Sequence, residues 1–155
     1  MNSPYSGLPD RAYWRRSLVG VAPENVDLVD GTQPKFKIGP KSKVATAGSC
    51  FAQHVSRAIS ERGFQYFVTE PGERADNYGV YPARFGNIYT VRQLLQLFER
   101  AYRLFDPTDI AWKRDDGNWS DPFRPQIEQT GFRSIEELQS DQIRHFAAVS
   151  KMFEE

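Results

Sequence analysis

The chain has 155 residues, of which 39% are hydrophobic and 26% charged, a balance typical of one folded globular domain rather than of a disordered segment. Its 20 basic and 20 acidic side chains leave a formal net charge of +0 and no basic tract, so the charge pattern gives no support for nucleic-acid binding. The start of the chain has no continuous apolar segment and no run approaches ~18 apolar residues, so the sequence predicts neither a secretory signal nor a membrane span.

The first elements in chain order predict a strand–helix–strand unit. Residues 1–42 are rich in Pro, Gly and Asp, and we expect an irregular lead-in there. The sequence predicts strands over 43–47 and 64–69, with a helix over 50–62 between them. One face of that helix is apolar (Phe51, Ala52, Val55, Ala58 and Ile59). Gly63 stands where a glycine commonly ends a helix, and a unit of this kind implies a parallel sheet.

The second half predicts two more helices with a hairpin between them. Residues 71–87 form a loop, after which Thr90 and Gln93 have the spacing of a capping box. The helix that follows should run to the Asp-Pro pair at 106–107, with one apolar face (Val91, Leu94, Leu95, Phe98, Ala101, Tyr102 and Phe105). Residues 112–123 predict a hairpin or a long loop turning at 116–117, and a last helix begins after Ser134.

Two predicted strands make a poor sheet, because a stable sheet with an apolar face usually has three or more. A parallel α/β fold would need further strands after the last helix. We therefore expect 43–155 to be the N-terminal part of a larger α/β domain whose C-terminal part is missing.

The segment most informative about chemistry is Ala-Gly-Ser-Cys-Phe-Ala at 47–52. Gly48 allows a sharp turn from the strand into the helix, so Ser49 or Cys50 would lie at the carboxyl edge of a parallel sheet, where such folds bind ligands. A helix N-terminus also favours an anion, either a thiolate or the oxyanion of an acyl-transfer reaction. The structural alternative is that Ser49 is a helix N-cap and Cys50 a small buried side chain.

Several segments in the same order resemble the GSCFA family. Gly-Ser-Cys-Phe-Ala at 48–52 is the motif that names the family. The resemblance covers about 43–155 and includes further segments (77–81, 86–94, 112–113, 121–125 and 131–132). That family is similar to the SGNH hydrolases, which implies a flavodoxin-like α/β/α sandwich with parallel strands.

The resemblance implies an ester hydrolase or an O-acyltransferase with a nucleophile in this motif. Aligning the glycines places Cys50 at the nucleophile position, and a register shifted by one places Ser49 there. It further implies Gly79, together with Gly48 and Asn77, as an oxyanion or substrate-binding group. The family's C-terminal base is not found in this chain, so we expect the chain alone to have little or no esterase activity. The rival readings are a non-catalytic module that binds a ligand or a partner, and an inactive fragment that keeps the fold.

The two histidines and the tryptophans offer weaker alternatives. His54 lies one helical turn after Cys50 and could reach it, although a polar residue beside an apolar stripe is the commoner explanation. His145 is expected to be a partly buried structural residue. Trp112 and Trp119 could stack on a sugar ring, but tryptophans in a long loop more often pack it against the core.

The remaining expectations concern ligands and location. The expected substrate is a small-molecule or glycan ester, with no cofactor and no metal. With Cys50 as its single cysteine, the chain has no intrachain disulfide, which fits a reducing, cytoplasmic location. The sequence does not fix an oligomeric state.

Overall fold

The computed structural model describes residues 3–22, 24–25, 36–73 and 78–155, and the chain divides into two compact units, Met1–Ile38 and Gly39–Glu155. The first unit contains a short 3-10 helix and helix α1 (Asp10–Ala12 and Trp14–Leu18). The second unit contains helices α2, α3 and α4 and strands β1 and β2 (α2 Cys50–Glu61, α3 Val91–Ala101, β1 Trp112–Lys113, β2 Trp119–Ser120, α4 Ile135–Glu154). In the part of the chain described, no helix is long and apolar enough to cross a membrane.

The architecture is mixed α/β, and the predicted parallel strands are reduced to one bridge. Val44 pairs in parallel with Tyr66, since the Val44 N–H donates to the Gln65 carbonyl at 3.1 Å and the Phe67 N–H donates to the Val44 carbonyl at 2.9 Å. The ladder stops there because the second segment changes partner. The N–H groups of Thr69 and Glu70 both donate to the Pro82 carbonyl, at 2.7 and 3.1 Å. The two full-length parallel strands predicted at 43–47 and 64–69 are therefore wrong, because only one parallel bridge forms between these segments.

The helix ends show why one boundary was predicted well and another was not. After α2, Gly63 has φ 76° and its N–H donates to the Ser60 carbonyl at 3.0 Å, as predicted for a terminating glycine. The Phe64 N–H donates in the same way to the Ile59 carbonyl. Helix α3 ends with an equivalent pair of bonds, in which the N–H groups of Arg103 and Leu104 donate to the carbonyls of Arg100 and Glu99. Arg103 takes the left-handed conformation here, with φ 57°. Because no glycine marks this end, the predicted end near Phe105 overshoots it.

The buried sides of α2 and α3 differ from the predicted apolar faces. On α2, Ala52 and Ser56 are buried whereas Phe51 is 72% exposed. On α3, the buried residues are Leu97 and Arg100, and the predicted face points partly outward (Val91, Leu95 and Phe98 are exposed). Helix α3 packs on α4, where the Ser150 hydroxyl donates to the Ala101 carbonyl at 3.3 Å. Tertiary packing on α4 therefore decides which side of α3 is buried.

Two clusters form the core of the second unit. The larger joins α2, α3 and α4 to the segment at 81–85 (Ala52, Tyr81, Ala83, Phe85, Leu97, Ala148 and Val149). The smaller holds the β1–β2 hairpin on the start of α4 through Ile127, Phe132 and Leu138, with Trp119 packed against it. The hairpin is confirmed: Trp112 pairs with Ser120, and Gly117, with φ 88°, lies in its turn. Trp119 therefore packs against the core, while Trp112 is exposed.

Candidate functional site

Ser49 and Cys50 lie where the chain enters α2. Ser49 is the N-cap, and its hydroxyl accepts a hydrogen bond from the Phe51 N–H at 3.4 Å. The predicted capping role is thus confirmed. Cys50 is the first residue of the helix and is exposed, so the alternative of a buried structural thiol is wrong. The thiol is open to a reagent at the helix end where backbone N–H groups lack main-chain acceptors.

The turn that carries these residues is fastened on both sides of Ser49. The Ile88 N–H donates to the Gly48 carbonyl at 2.8 Å. The Tyr81 hydroxyl lies 3.1 Å from the Ser49 carbonyl oxygen. A Cβ on Gly48 would stand 3.2 Å from Cβ of Ala52, so the glycine here permits close approach of the turn to the helix. The segment after residue 80 therefore holds the start of α2 in place.

A polar cluster surrounds the Tyr81 hydroxyl. It lies within hydrogen-bond distance of Asn87 Oδ1 as well as of the Ser49 carbonyl, and Gln53 Nε2 donates to it at 3.2 Å. Burial raises the Tyr81 pKa, the hydrogen bond from Gln53 opposes that rise, and negative charge at Cys50 adds to it. The Tyr81 hydroxyl bonds the carbonyl of Ser49, the residue directly before Cys50, so the cluster adjoins the start of α2.

The cluster forms one wall of a cleft of about 330 Å³. Gln53, Tyr81 and Asn87 contribute this wall, and Phe123, Arg124 and Ile127 lie among the other lining residues. A second, more open depression lies on another side of the same helix start and includes Gly48 and Ser49. Of these two concave surfaces, the cleft of about 330 Å³ carries more polar side chains, whereas Gly48 and Ser49 line the more open one.

The remaining predicted site residues are not brought to this cleft. Gly79, with φ 71°, lines a separate groove with Ser56 and Ser60, on later turns of α2. Asn77 lies outside the described residues. His54 is exposed, and no carboxylate among the described residues contacts it. Of the predicted set, Gly48, Ser49 and Cys50 are together at the helix start.

His145 is buried completely rather than partly. Its Nδ1 lies 2.7 Å from Glu70 Oε2, which also accepts a hydrogen bond from the Arg84 N–H at 2.6 Å. The Nε2 atom is buried without a hydrogen-bond partner in the part of the chain described. A histidine oriented by a carboxylate resembles the base of a catalytic triad, but this one lies in the core, out of contact with the cleft. It acts as a structural residue, as predicted.

The protonation states of this pair give stability a pH dependence. Burial and the nearby Arg124 lower the His145 pKa, against the opposing effect of Glu70. Burial alone would raise the Glu70 pKa, but the hydrogen bond and charge of His145 outweigh it and the pKa is lowered. Both shifts favour a neutral imidazole beside an ionised carboxylate, and the 2.7 Å contact then has His145 Nδ1–H donating to Glu70.

We predict that stability falls as the pH is lowered from about 7 to 5, because the unfolded chain then binds a proton at His145 that the folded chain refuses. The Glu70 pKa is lowered from its ordinary value, so the pH dependence that Glu70 contributes falls at lower pH. Urea midpoints measured across the window for His145→Gln should not fall as the pH is lowered, because the titrating imidazole is gone and Glu70 loses the partner that lowers its pKa. His54→Gln, which removes the exposed histidine, should keep the wild-type slope. Equal slopes for wild type and His145→Gln would contradict the assignment.

A buried ion cluster, defined here as Arg84, Arg124, Asp121 and Asp141, supports the segment that fastens the helix start. Arg124 donates to Asp121 at 3.0 Å and to Asp141 at 2.6 Å. Its Nη1 donates to the Arg84 carbonyl at 3.4 Å, and Arg84 Nη2 donates to the Ile127 carbonyl at 2.8 Å. These bonds fix residue 84, three positions after Tyr81, and so help to set the position of the hydroxyl beside Ser49.

Sequence reasoning missed the supporting residues of the site. Tyr81, Asn87 and Arg124 lie inside the segments that resemble the GSCFA family, so their place in those motifs was the available signal. Gln53 and Glu70 lie outside those segments, so no signal in the sequence pointed to them.

Comparison with known proteins gives a match for most of this second unit. No curated protein and no solved structure was found that matches the chain. The GSCFA family model matches residues 43–155, which include the helix start, the polar cluster and the ion cluster. This chain belongs to the GSCFA family.

Proposed function

We propose that this protein transfers acyl groups from esters, with Cys50 as the nucleophile. The observation that carries the proposal is an exposed thiol at the first position of α2, in a turn fastened through Gly48 and Ser49. Fixed geometry at the nucleophile is what acyl transfer requires, because attack demands a defined approach to the carbonyl. The SGNH-type sandwich implied by the resemblance remains part of this proposal.

The reaction has two steps, acylation of Cys50 and deacylation of the thioester. The Cys50 sulfur, having lost its proton to a base, attacks the ester carbonyl, and the tetrahedral oxyanion collapses as the C–O bond breaks. The alkoxide leaves and takes a proton, which leaves a thioester on Cys50. Water or an acceptor hydroxyl then attacks the thioester, so the product is an acid in hydrolysis or a new ester in transfer.

Cys50 is favoured over Ser49 by the hydrogen bonds of the helix start. The Ser49 hydroxyl is engaged in capping and accepts from the Phe51 N–H. No group among the described residues engages the Cys50 sulfur in a hydrogen bond. A side chain that caps its own helix must break that bond to attack, whereas the thiol need not. Ser49 remains the alternative nucleophile.

Oxyanion stabilisation would come first from the helix start itself. The Cys50 N–H has no acceptor among the residues described, and it belongs to the first residue of α2, at the positive end of the helix dipole. Such a donor stabilises charge that develops on the carbonyl oxygen. Roles for Gly79, in its separate groove, and for Asn77 stay predictions. The general base also stays unassigned, because His145 is buried and His54 has no orienting carboxylate among the described residues.

The rival function is ligand binding without catalysis, and the cleft of about 330 Å³ beside the polar cluster supports it. A cleft of this size accommodates a small ligand whether or not a bond is broken. The two functions differ in whether an acyl group becomes covalently attached. The cytoplasmic location expected from the single cysteine likewise stays a prediction.

The test of the proposal is where an acyl group is deposited. The chain is incubated with an activated aryl acetate, and the modified residue is identified by mass spectrometry of peptides. We expect one acetyl group per chain, on Cys50. Acetylation of Ser49 would transfer the role to the hydroxyl. No adduct at either residue, with a thiol that still reacts with iodoacetamide, would support the non-catalytic alternative.

A further inference from the structure

We infer that Arg100 binds an oxyanion group of a ligand, a carboxylate or a phosphate, in a cleft between α3 and residues 122–125. This inference goes beyond the proposed acyl transfer and does not depend on it. It begins with a largely buried cation that donates no hydrogen bond to another described residue.

Arg100 is 7% exposed and lies near the C-terminal end of α3. A guanidinium carries five N–H donors, and a buried one ordinarily uses them. No residue in the described part of the chain accepts a hydrogen bond from this side chain; Asp121 is its nearest anion, at 3.9 Å. Burial lowers the Arg100 pKa to about 10, which reflects how weakly its charge is compensated.

The contacts that Arg100 does make are with two aromatic rings. Its guanidinium carbon lies 3.9 Å from the centre of the Phe123 ring and 4.7 Å from that of Phe146. A cation–π contact stabilises the charge of the guanidinium but supplies no oxygen that accepts its N–H groups. These contacts therefore hold Arg100 in place and leave its donors without a protein acceptor among the described residues.

Asp121 accepts no hydrogen bond from Arg100, which lies 3.9 Å away, and its carboxylate is bonded to other groups. Its carboxylate accepts hydrogen bonds from Arg124 at 3.0 Å, from Gln142 at 3.2 Å and from the Phe123 N–H at 2.9 Å. Arg124 is thereby the principal counter-charge of Asp121. Arg100 stays a second, distant cation beside the same carboxylate.

The unused donors border an open space of about 240 Å³. Arg100 lines this space together with Asn87, Gln93 and Gln96, and the cleft of about 330 Å³ shares Asn87 and Gln93 with it. The carboxamides offer neutral donors and bring no further negative charge. A group that accepts two parallel hydrogen bonds matches the edge of a guanidinium, and carboxylates and phosphates have that geometry. The ligand therefore carries such an oxyanion beside Arg100.

Binding can be measured on the whole chain with simple anions as probes. The protein is titrated with sodium acetate, and separately with sodium phosphate, at an ionic strength held constant with sodium chloride. Backbone amide resonances of Gln96 and Phe123 and the Nε–H resonance of Arg100 report the binding. We expect saturable shifts of all three in the wild type. Saturation by acetate alone identifies a carboxylate site, and saturation by phosphate alone a phosphate site.

Two variants separate a specific site from general attraction of anions. Arg100→Lys keeps the charge but lacks the two parallel donors, so the dissociation constant should rise at least about tenfold. Arg92→Met removes an exposed cation from the same helix and should bind as the wild type does. The inference is overturned by shifts no larger than those in chloride, or by equal affinity in Arg100→Lys. If Arg100→Lys does not fold, an unmoved Arg100 Nε–H resonance in the wild type overturns it.

Discussion

Replacing Cys50 with alanine should reduce the rate of acyl capture from an activated aryl acetate by at least about a hundredfold. The physical reason is that the substitution removes the exposed sulfur at the helix start and leaves the surrounding turn unchanged. The bonds to the Gly48 and Ser49 carbonyls involve main-chain atoms that alanine preserves. The measurement is the burst of the phenol released in the first turnover, expressed per mole of protein.

Ser49→Ala is the matched control, because it changes the neighbouring nucleophile by one atom. It removes the capping acceptor, which costs about 1 kcal/mol of stability. Because a lost cap disturbs the turn only slightly, the rate of the burst should fall by less than about tenfold. A burst that survives Cys50→Ala but disappears in Ser49→Ala would reverse the two roles. Sustained turnover that is lost in His54→Gln would identify His54 as the base.

Replacing Arg124 with methionine should lower the free energy of unfolding by about 3–5 kcal/mol, because it leaves two buried carboxylates without their principal cation. Asp121 and Asp141 are 1% and 3% exposed, so water cannot replace the lost partner. Gln142 and Arg84 would still contact them, but the Arg84–Asp141 distance is 3.7 Å and does not compensate fully. The measurement is urea unfolding followed by circular dichroism.

Arg114→Met provides the comparison, since Arg114 pairs with Asp116 on the surface at 3.0 Å. An exposed pair of this kind contributes at most about 1 kcal/mol. If Arg124→Met is unfolded without denaturant, that outcome agrees with the expected loss, and Arg124→Lys gives a measurable intermediate. A loss in Arg124→Met no greater than in Arg114→Met would show that the buried ion cluster does not support the fold.

Local features of this fold were predictable because their causes are local. The capping box at Thr90 and Gln93 is complete, since each residue bonds the backbone of the other. The hairpin turn and the end of α2 depend on Gly117 and Gly63, and glycine signals a left-handed backbone directly. Arg103 adopts the same conformation without such a signal, so the end of α3 was placed too late.

The buried charges were not predictable from a hydrophobic pattern. Arg100 stands on the polar face of α3 by periodicity, yet it is buried against Phe123 and Phe146, which lie far along the chain. The same reason hid Glu70 as the partner of His145, since the two are 75 positions apart. Similarly, Ser49 and Cys50 were found from a motif and a strand–turn–helix pattern, whereas Tyr81 and Gln53 depend on contacts between distant segments.

The fastening of the helix start by Tyr81 and Ile88 has a consequence for the order of folding. Helix α2 is built from local contacts, but the bond between Tyr81 and Ser49 closes a separation of 32 positions. Closing such a loop has an entropic cost that nearby contacts must repay, so distant pairings of this kind tend to form late. The geometry around Cys50 should accordingly be the last part of α2 to become ordered and the first to open in the native state. Amide hydrogen exchange at Ile88, whose N–H holds the Gly48 carbonyl, would report that opening directly.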